Sequence, residues 1–139
     1  MYAVNQFYQF FLHTETITKL PKWYEAIFVT PSHHRVHHAS DIKYLDKNMG
    51  QVLIIWDKLF GTYQVEEEAP KYGLTSDIKT YHPLKVIFNE WLKLFKDLGK
   101  TKSLKLKFKY LFMPPGWSHD GSSKTSAELR KEYIKNKST

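Results

Sequence analysis

A chain of 139 residues holds one domain at most, or part of a larger one, and the absence of cysteine excludes disulfides, thiolate zinc sites, iron–sulfur clusters and thiolate-ligated haem. Aromatics make up 16% of a chain whose mean hydropathy is −0.50, a pairing expected where apolar surface meets charge, as at a membrane interface. The net charge of +7 lies wholly beyond Leu84: there are eight Lys/Arg and nine Asp/Glu up to that residue, and thirteen and five after it.

Residues 1–12, MYAVNQFYQFFL, are uncharged and strongly aromatic and predict a helix. The run is shorter than the roughly 20 apolar residues of a bilayer crossing, and no other stretch is long enough to span. It also lacks the basic start and cleavage site of a signal peptide. It reads as the second half of a membrane helix, with Gln9 and His13 one turn apart and able to face one site. Phe7, Phe10 and Phe11 are expected to pack on neighbouring helices or to line a lipid route.

Pro21 suits the first position of a second helix, striped by Trp23, Ile27 and Phe28 and ended near Thr30 by Pro31. Ser32 is then the expected N-cap of a short helix carrying His33, His34, His37 and His38, four of the seven histidines within six residues. In a helix His34, His37 and His38 share one face, and His33 reaches His37. Imidazole is the commonest metal ligand of proteins. The density and register therefore favour a bound cation over a solvated loop or a capping cluster.

Residues 41–50 read as a loop. Residues 51–60 read as a helix, apolar almost all round and so buried or lipid-facing, that Gly61 stops. Residues 62–80 form an irregular acidic connection. Residues 83–99 are the clearest amphipathic helix, with Leu84, Ile87, Phe88, Trp91, Leu94, Phe95 and Leu98 at steps of three and four. Residues 104–110 alternate with period two, a strand pattern, but their lysines also suit a helix on a membrane surface, and a helix is expected. Pro114-Pro115-Gly116-Trp117 breaks regular structure, and residues 118–139 are expected as a loosely held basic tail. The fold class is all-α.

The motifs of common enzymes are missing: H-E-x-x-H, G-x-S-x-G, a phosphate loop and a dinucleotide fingerprint. An all-histidine site among apolar residues remains, and imidazole suits iron as well as zinc. Attack on an unactivated C–H bond needs open coordination positions for dioxygen and a dry pocket, and both fit this composition.

The run TPSHHRVHHA (30–39), followed by DKNMG (46–50) and LIIWDKLFGT (53–62) and preceded by QFFLHT (9–14), resembles the last histidine box of the fatty acid hydroxylase/sterol desaturase superfamily. Pro114-Pro115-Gly116-Trp117 resembles its alkylglycerol monooxygenase-like branch. The resemblance implies an integral membrane oxidoreductase, a helical bundle with a dimetal site on the cytosolic side. Such enzymes hydroxylate or desaturate lipids with dioxygen and external electrons. It implies His34, His37 and His38 as ligands from the H-x-x-H-H box and His13 as a further ligand. His33 is a fifth candidate, as a ligand or as a neighbour that orients one. Gln9 stands where some relatives place another histidine, and His82 and His119 lie outside the matching motifs. Arg35 and Asp57 are expected to make orienting or structural contacts.

The cofactor implied is non-haem di-iron, with a pterin or a redox protein as electron donor. The partners implied are a fatty acyl, alkyl ether or sterol lipid and the membrane, with no nucleic acid. Lysines from the residue 83 helix onward would face the cytosolic membrane surface. By this reading residues 1–62 are the C-terminal part of a fatty acid hydroxylase domain, 63–117 a cytosolic or interfacial helical extension, and 118–139 the basic tail. The family's two earlier histidine boxes are absent from these residues, so the chain is expected to be the C-terminal portion of a larger enzyme or a truncated one. The competing expectation is a non-catalytic metal-binding remnant, or a partner subunit needing another chain to complete its site.

Overall fold

Seven α-helices and one short 3-10 turn carry the described residues of the computed structural model, 2–75, 78 and 80–137. Parts of the connection read over 62–80 (positions 76, 77 and 79) and the last two residues of the tail lie outside the described residues, as does Met1. The helical expectation holds, and strand pairing among the described residues is confined to two isolated bridges. The chain divides into two compact units, Met1–Thr75 and Ser76–Thr139.

In the first unit, α1 (Tyr2–Leu12) ends by burying Leu12 against Val29 and Ile54, with Tyr8 and Tyr63 packed on that core. Phe7, Phe10 and Phe11 are exposed in this chain. The second helix, α2 (Lys22–Ile27), stops short of the expected Thr30. Phe28 turns extended and bridges Leu53, with Val29 N–H bonded to Val52 O at 2.8 Å and Ile54 N–H to Ile27 O at 3.0 Å.

That pairing also corrects the next two boundaries. It keeps residues 51–54 out of the helix predicted there, so α4 is only Ile55–Phe60, ended as expected by Gly61 in the left-handed region at φ +72°. The histidine helix α3 (Pro31–His37) is N-capped at Thr30, not Ser32. Pro31 takes the first helical position, where its missing N–H costs nothing and its fixed φ suits the helix, and this moves the start two residues upstream. A 3-10 turn at Ile42–Tyr44 follows, and Tyr44 packs with Val36 and Ala39 in a second small core. The Tyr44 hydroxyl accepts the N–H groups of Glu67 and Glu68 at 3.0 and 3.1 Å, tying the acidic connection to the unit.

In the second unit, α5 (Pro83–Gly99) and α6 (Leu104–Phe112) form where expected and contact each other. The tail differs from expectation: residues 126–137 form a helix, α7 (Ser126–Lys137). Its start is a capping box. The Thr125 hydroxyl accepts Glu128 N–H at 3.3 Å and the Glu128 carboxylate accepts Thr125 N–H at 2.8 Å. Glu128 in the first turn and Lys135 and Lys137 in the last also suit the helix dipole. Among the described residues no helix is long and apolar enough to cross a membrane.

Candidate metal centre

His13 sits just past the end of α1, and its Nδ1 lies 2.8 Å from the carbonyl of Gln9, one turn back. A carbonyl only accepts, so Nδ1 carries the proton and the neutral ring keeps a bare lone pair on Nε2. From α3, His34 and His38 reach the same point at i, i+4. The three Nε2 atoms form a triangle: His13 to His34 is 3.0 Å, His34 to His38 is 3.0 Å and His13 to His38 is 3.1 Å.

Hydrogen bonding alone cannot account for this triangle. Each edge would need one protonated and one bare nitrogen, and three atoms in a ring cannot alternate. At least one edge must therefore set lone pair against lone pair or proton against proton. A cation removes the conflict, because all three lone pairs then point at it. The edges discriminate further. At a metal–nitrogen distance of about 2.1 Å, donors at right angles lie about 3.0 Å apart and tetrahedral donors about 3.4 Å. The observed edges of 3.0–3.1 Å are close to the right-angle spacing. The three residues therefore form a group that could hold a metal ion.

The electrostatics agree. Burial, followed by the nearby His13, His38 and His37 rings, pushes the His34 imidazole down to about 3. His38 is lowered by burial, then by His37 and His13. Both are thus held in the neutral form that a metal requires.

The other two candidate histidines stand apart from the triangle. His37 is exposed, its ring stacked 5.7 Å from that of His34 and its Nδ1 3.4 Å from Lys47 O. His33 is buried on the other side of α3, edge-on to the Tyr63 ring at 5.6 Å. Its Nδ1 accepts the N–H of Thr30 at 3.3 Å, doing for the helix start what a glutamate does in a capping box. Burial lowers its basicity, consistent with an acceptor that stays neutral. Gln9 donates its side chain to Gln51 O and serves the site through its backbone carbonyl. His82 and His119 belong to the second unit, where His119 Nδ1 pairs with the Tyr110 hydroxyl at 2.7 Å.

Arg35 and Asp57 make the structural contacts expected of them, and Asn48 is a supporting residue that the sequence reading missed. Arg35 donates to the carbonyls of Thr14 (3.1 Å), Ile17 (2.9 Å) and Thr18 (2.8 Å) and to the Glu66 carboxylate, so it clamps the segment leaving His13 onto α3. Asn48, at φ +51°, bonds His33 O and both backbone groups of Gln64 from a buried position. Asp57 accepts Met49 N–H, Gly50 N–H and the Thr62 hydroxyl at 2.7, 2.8 and 2.6 Å. The signals were a charged residue inside a buried helix turn and an Asn in a loop that needs positive φ. A cavity of about 520 Å³ adjoins the triangle, with apolar walls at Leu12 and Leu74 and polar groups at Thr14, Glu15 and Tyr72.

A fatty acid hydroxylase family model matches residues 1–62. The chain is 46% identical over 121 residues to alkylglycerol monooxygenase of Homo sapiens, a stretch covering 84% of this chain and 27% of that protein. It is 41% identical over 113 residues to alkylglycerol monooxygenase of Xenopus tropicalis, covering 81% and 25%. The Caenorhabditis elegans protein of the same name is 35% identical over 124 residues, covering 81% and 24%. The chain thus spans about a quarter of the length of these relatives. No solved structure is significantly similar to it.

Proposed function

We propose that this chain, whose residues 1–62 belong to the fatty acid hydroxylase family, supplies one histidine face of the non-haem iron centre of a membrane lipid monooxygenase. The observation that carries the reading is the Nε2 triangle of His13, His34 and His38, which hydrogen bonding cannot satisfy and a bound cation can. Iron held by His13, His34 and His38 would supply the activation of dioxygen for insertion of one oxygen atom into a C–H bond, the other leaving as water with two electrons from a pterin or a redox protein.

The chain's own residues hold and shield that chemistry. Gln9 O fixes the His13 tautomer, Arg35 holds the His13 segment against α3, and burial keeps His34 unprotonated. The adjoining cavity takes an amphiphile: Leu12 and Leu74 offer apolar contact, while Thr14, Glu15 and Tyr72 offer polar partners to a headgroup. With relatives named for alkylglycerols, the substrate is an ether lipid of that kind. Hydroxylation of the carbon beside the ether oxygen yields a hemiacetal, which collapses to an aldehyde and an alcohol. In a two-iron centre the exposed His37 would be the neighbour available to the second ion.

Elemental analysis of the purified chain beside His34→Ala tests the reading. About one iron per chain that is lost in the variant supports it, and equal metal in both, or none in either, overturns it. Grafting this chain in place of the matching quarter of the human relative tests the activity. The chimera should oxidise alkylglycerol and lose that ability with His34→Ala.

A further inference from the structure

The second unit leaves its most apolar surface uncovered. On α5, Leu84, Ile87, Phe88, Trp91 and Phe95 fall on one arc of the helix and are 51–63% exposed. On α6, Leu104, Phe108, Leu111 and Phe112 do the same at 54–81%. The two helices contact each other, yet neither has a single buried residue. Two amphipathic helices of a soluble pair would turn these stripes together; here both stripes still face out.

Charge identifies what covers them. Lys85 and Lys96 flank one edge of the α5 stripe, Lys93 lies opposite it, and Lys105, Lys107 and Lys109 punctuate α6. The two acidic residues on these helices are already paired, Glu90 with Lys93 at 2.8 Å and Asp97 with Lys100 at 2.8 Å. Lys85, Lys96, Lys102, Lys105 and Lys107 have no acidic partner among the described residues. A wide apolar stripe containing Trp and Phe and rimmed by unpaired lysines matches the chemistry of an anionic bilayer interface, where rings sit at the acyl boundary and ammonium groups at phosphates. A nucleic acid would use the lysines and leave the stripe wet. A protein groove would use the stripe and bury the lysine rim at a cost. At 17 residues with a polar arc, α5 is neither long nor apolar enough to cross a bilayer.

We propose that α5 and α6 are a docking surface for anionic phospholipid, with their apolar arcs seated in the interface and their lysines on the headgroups. The surface is built without any residue of the histidine centre, so it stands or falls independently of the iron reading.

The test is co-sedimentation of the full chain with vesicles of phosphatidylcholine alone or with about one-third phosphatidylserine. Phosphatidylserine should raise binding at least about tenfold, with the gain falling as salt rises. Trp91→Glu/Phe95→Glu should abolish binding while leaving far-UV helicity intact, because both side chains are exposed. Lys102→Glu/Lys105→Glu/Lys107→Glu should remove the phosphatidylserine preference. Phe7→Ser/Phe10→Ser, which alters the exposed aromatics of α1, should change the gain little. Binding indifferent to phosphatidylserine, or retained by Trp91→Glu/Phe95→Glu, overturns the proposal. So does a chain that ignores vesicles and either elutes as a dimer or binds duplex DNA equally well in wild type and Trp91→Glu/Phe95→Glu.

Discussion

Arg35 grips Glu66 with two parallel bonds, Nε to Oε1 at 2.8 Å and one terminal nitrogen to Oε2 at 2.6 Å, and both side chains are nearly out of solvent. The same guanidinium reaches the carbonyls of Thr14, Ile17 and Thr18, so one side chain joins α3, the segment after His13 and the acidic connection. Arg35→Met strands a buried carboxylate and three carbonyls and should cost about 3–5 kcal/mol in urea unfolding of the first unit. Arg35→Lys keeps the charge but loses the planar fork. It should leave the unit folded while His13 drifts from the triangle, weakening iron affinity about tenfold or more, comparable to other losses of ligand-orienting contacts. Iron titration of folded Arg35→Lys with unchanged affinity would refute a positioning role.

His37 and His38 are adjacent in sequence but differ in geometry. His38 closes the triangle at 3.0 and 3.1 Å, and His37 points to solvent near Lys47. His38→Ala should therefore abolish retention of the first ion, and His37→Ala should retain it. Metal content measured side by side decides the point. Equal loss in the two variants would mean that both rings share one ion.

The features read correctly from the sequence are those that local chemistry determines. The α5 stripe is a periodicity written in residues 84–98, and Gly61 ends α4 because a left-handed residue there favours glycine. The errors come from competition between signals or from distant pairing. Pro31 at N1 outweighed Ser32 as a cap. Leu53 meets Phe28 across 25 residues, a contact no local period encodes, and this shortened α4 at its start. The T-x-x-E signal at Thr125–Glu128 marked the start of α7, but the polar composition beyond it read as a tail. At the site, the clustering made His34 and His38 visible. Selection of His13 over His33 and His37 came from α1 ending against α3, and Arg35 and Glu66 meet across 31 residues.

The histidine shifts make the metal-free first unit sensitive to acid. His33, His34 and His38 all have lowered pKa in the folded chain, His34 to about 3, with burial the leading cause in each case. Below the ordinary histidine value of about 6.5 the unfolded chain takes up protons that the folded one refuses. Stability should be full above that value and fall steadily as pH drops towards about 3. Urea midpoints between pH 7.5 and roughly 4 read this directly. His34→Gln should flatten the slope, and a wild-type midpoint constant across that range would contradict the lowered histidine basicities.

Asp57 and Gly50 make a paired prediction about the loop that supports α3. The buried Asp57 carboxylate collects two backbone N–H groups and the Thr62 hydroxyl, and no basic side chain pairs with it among the described residues. Asp57→Ala should cost about 3 kcal/mol or more, since charge-assisted bonds contribute about 1.5–3 each and their donors would be stranded. A methyl group on Gly50 would lie 2.7 Å from Leu53 O and 2.8 Å from Asp57 Oδ2, so Gly50→Ala should destabilise by about 1–3 kcal/mol through overpacking. Gly73→Ala is the contrast: a methyl there meets nothing within 4 Å, and only its φ of +135° resists substitution. Because Asp57 is the shared partner, Asp57→Ala should blunt the penalty of Gly50→Ala, since one of its two clashes goes with the carboxylate. A double-mutant cycle by urea unfolding measures that coupling. Strictly additive losses would place the Gly50 penalty wholly on the Leu53 carbonyl.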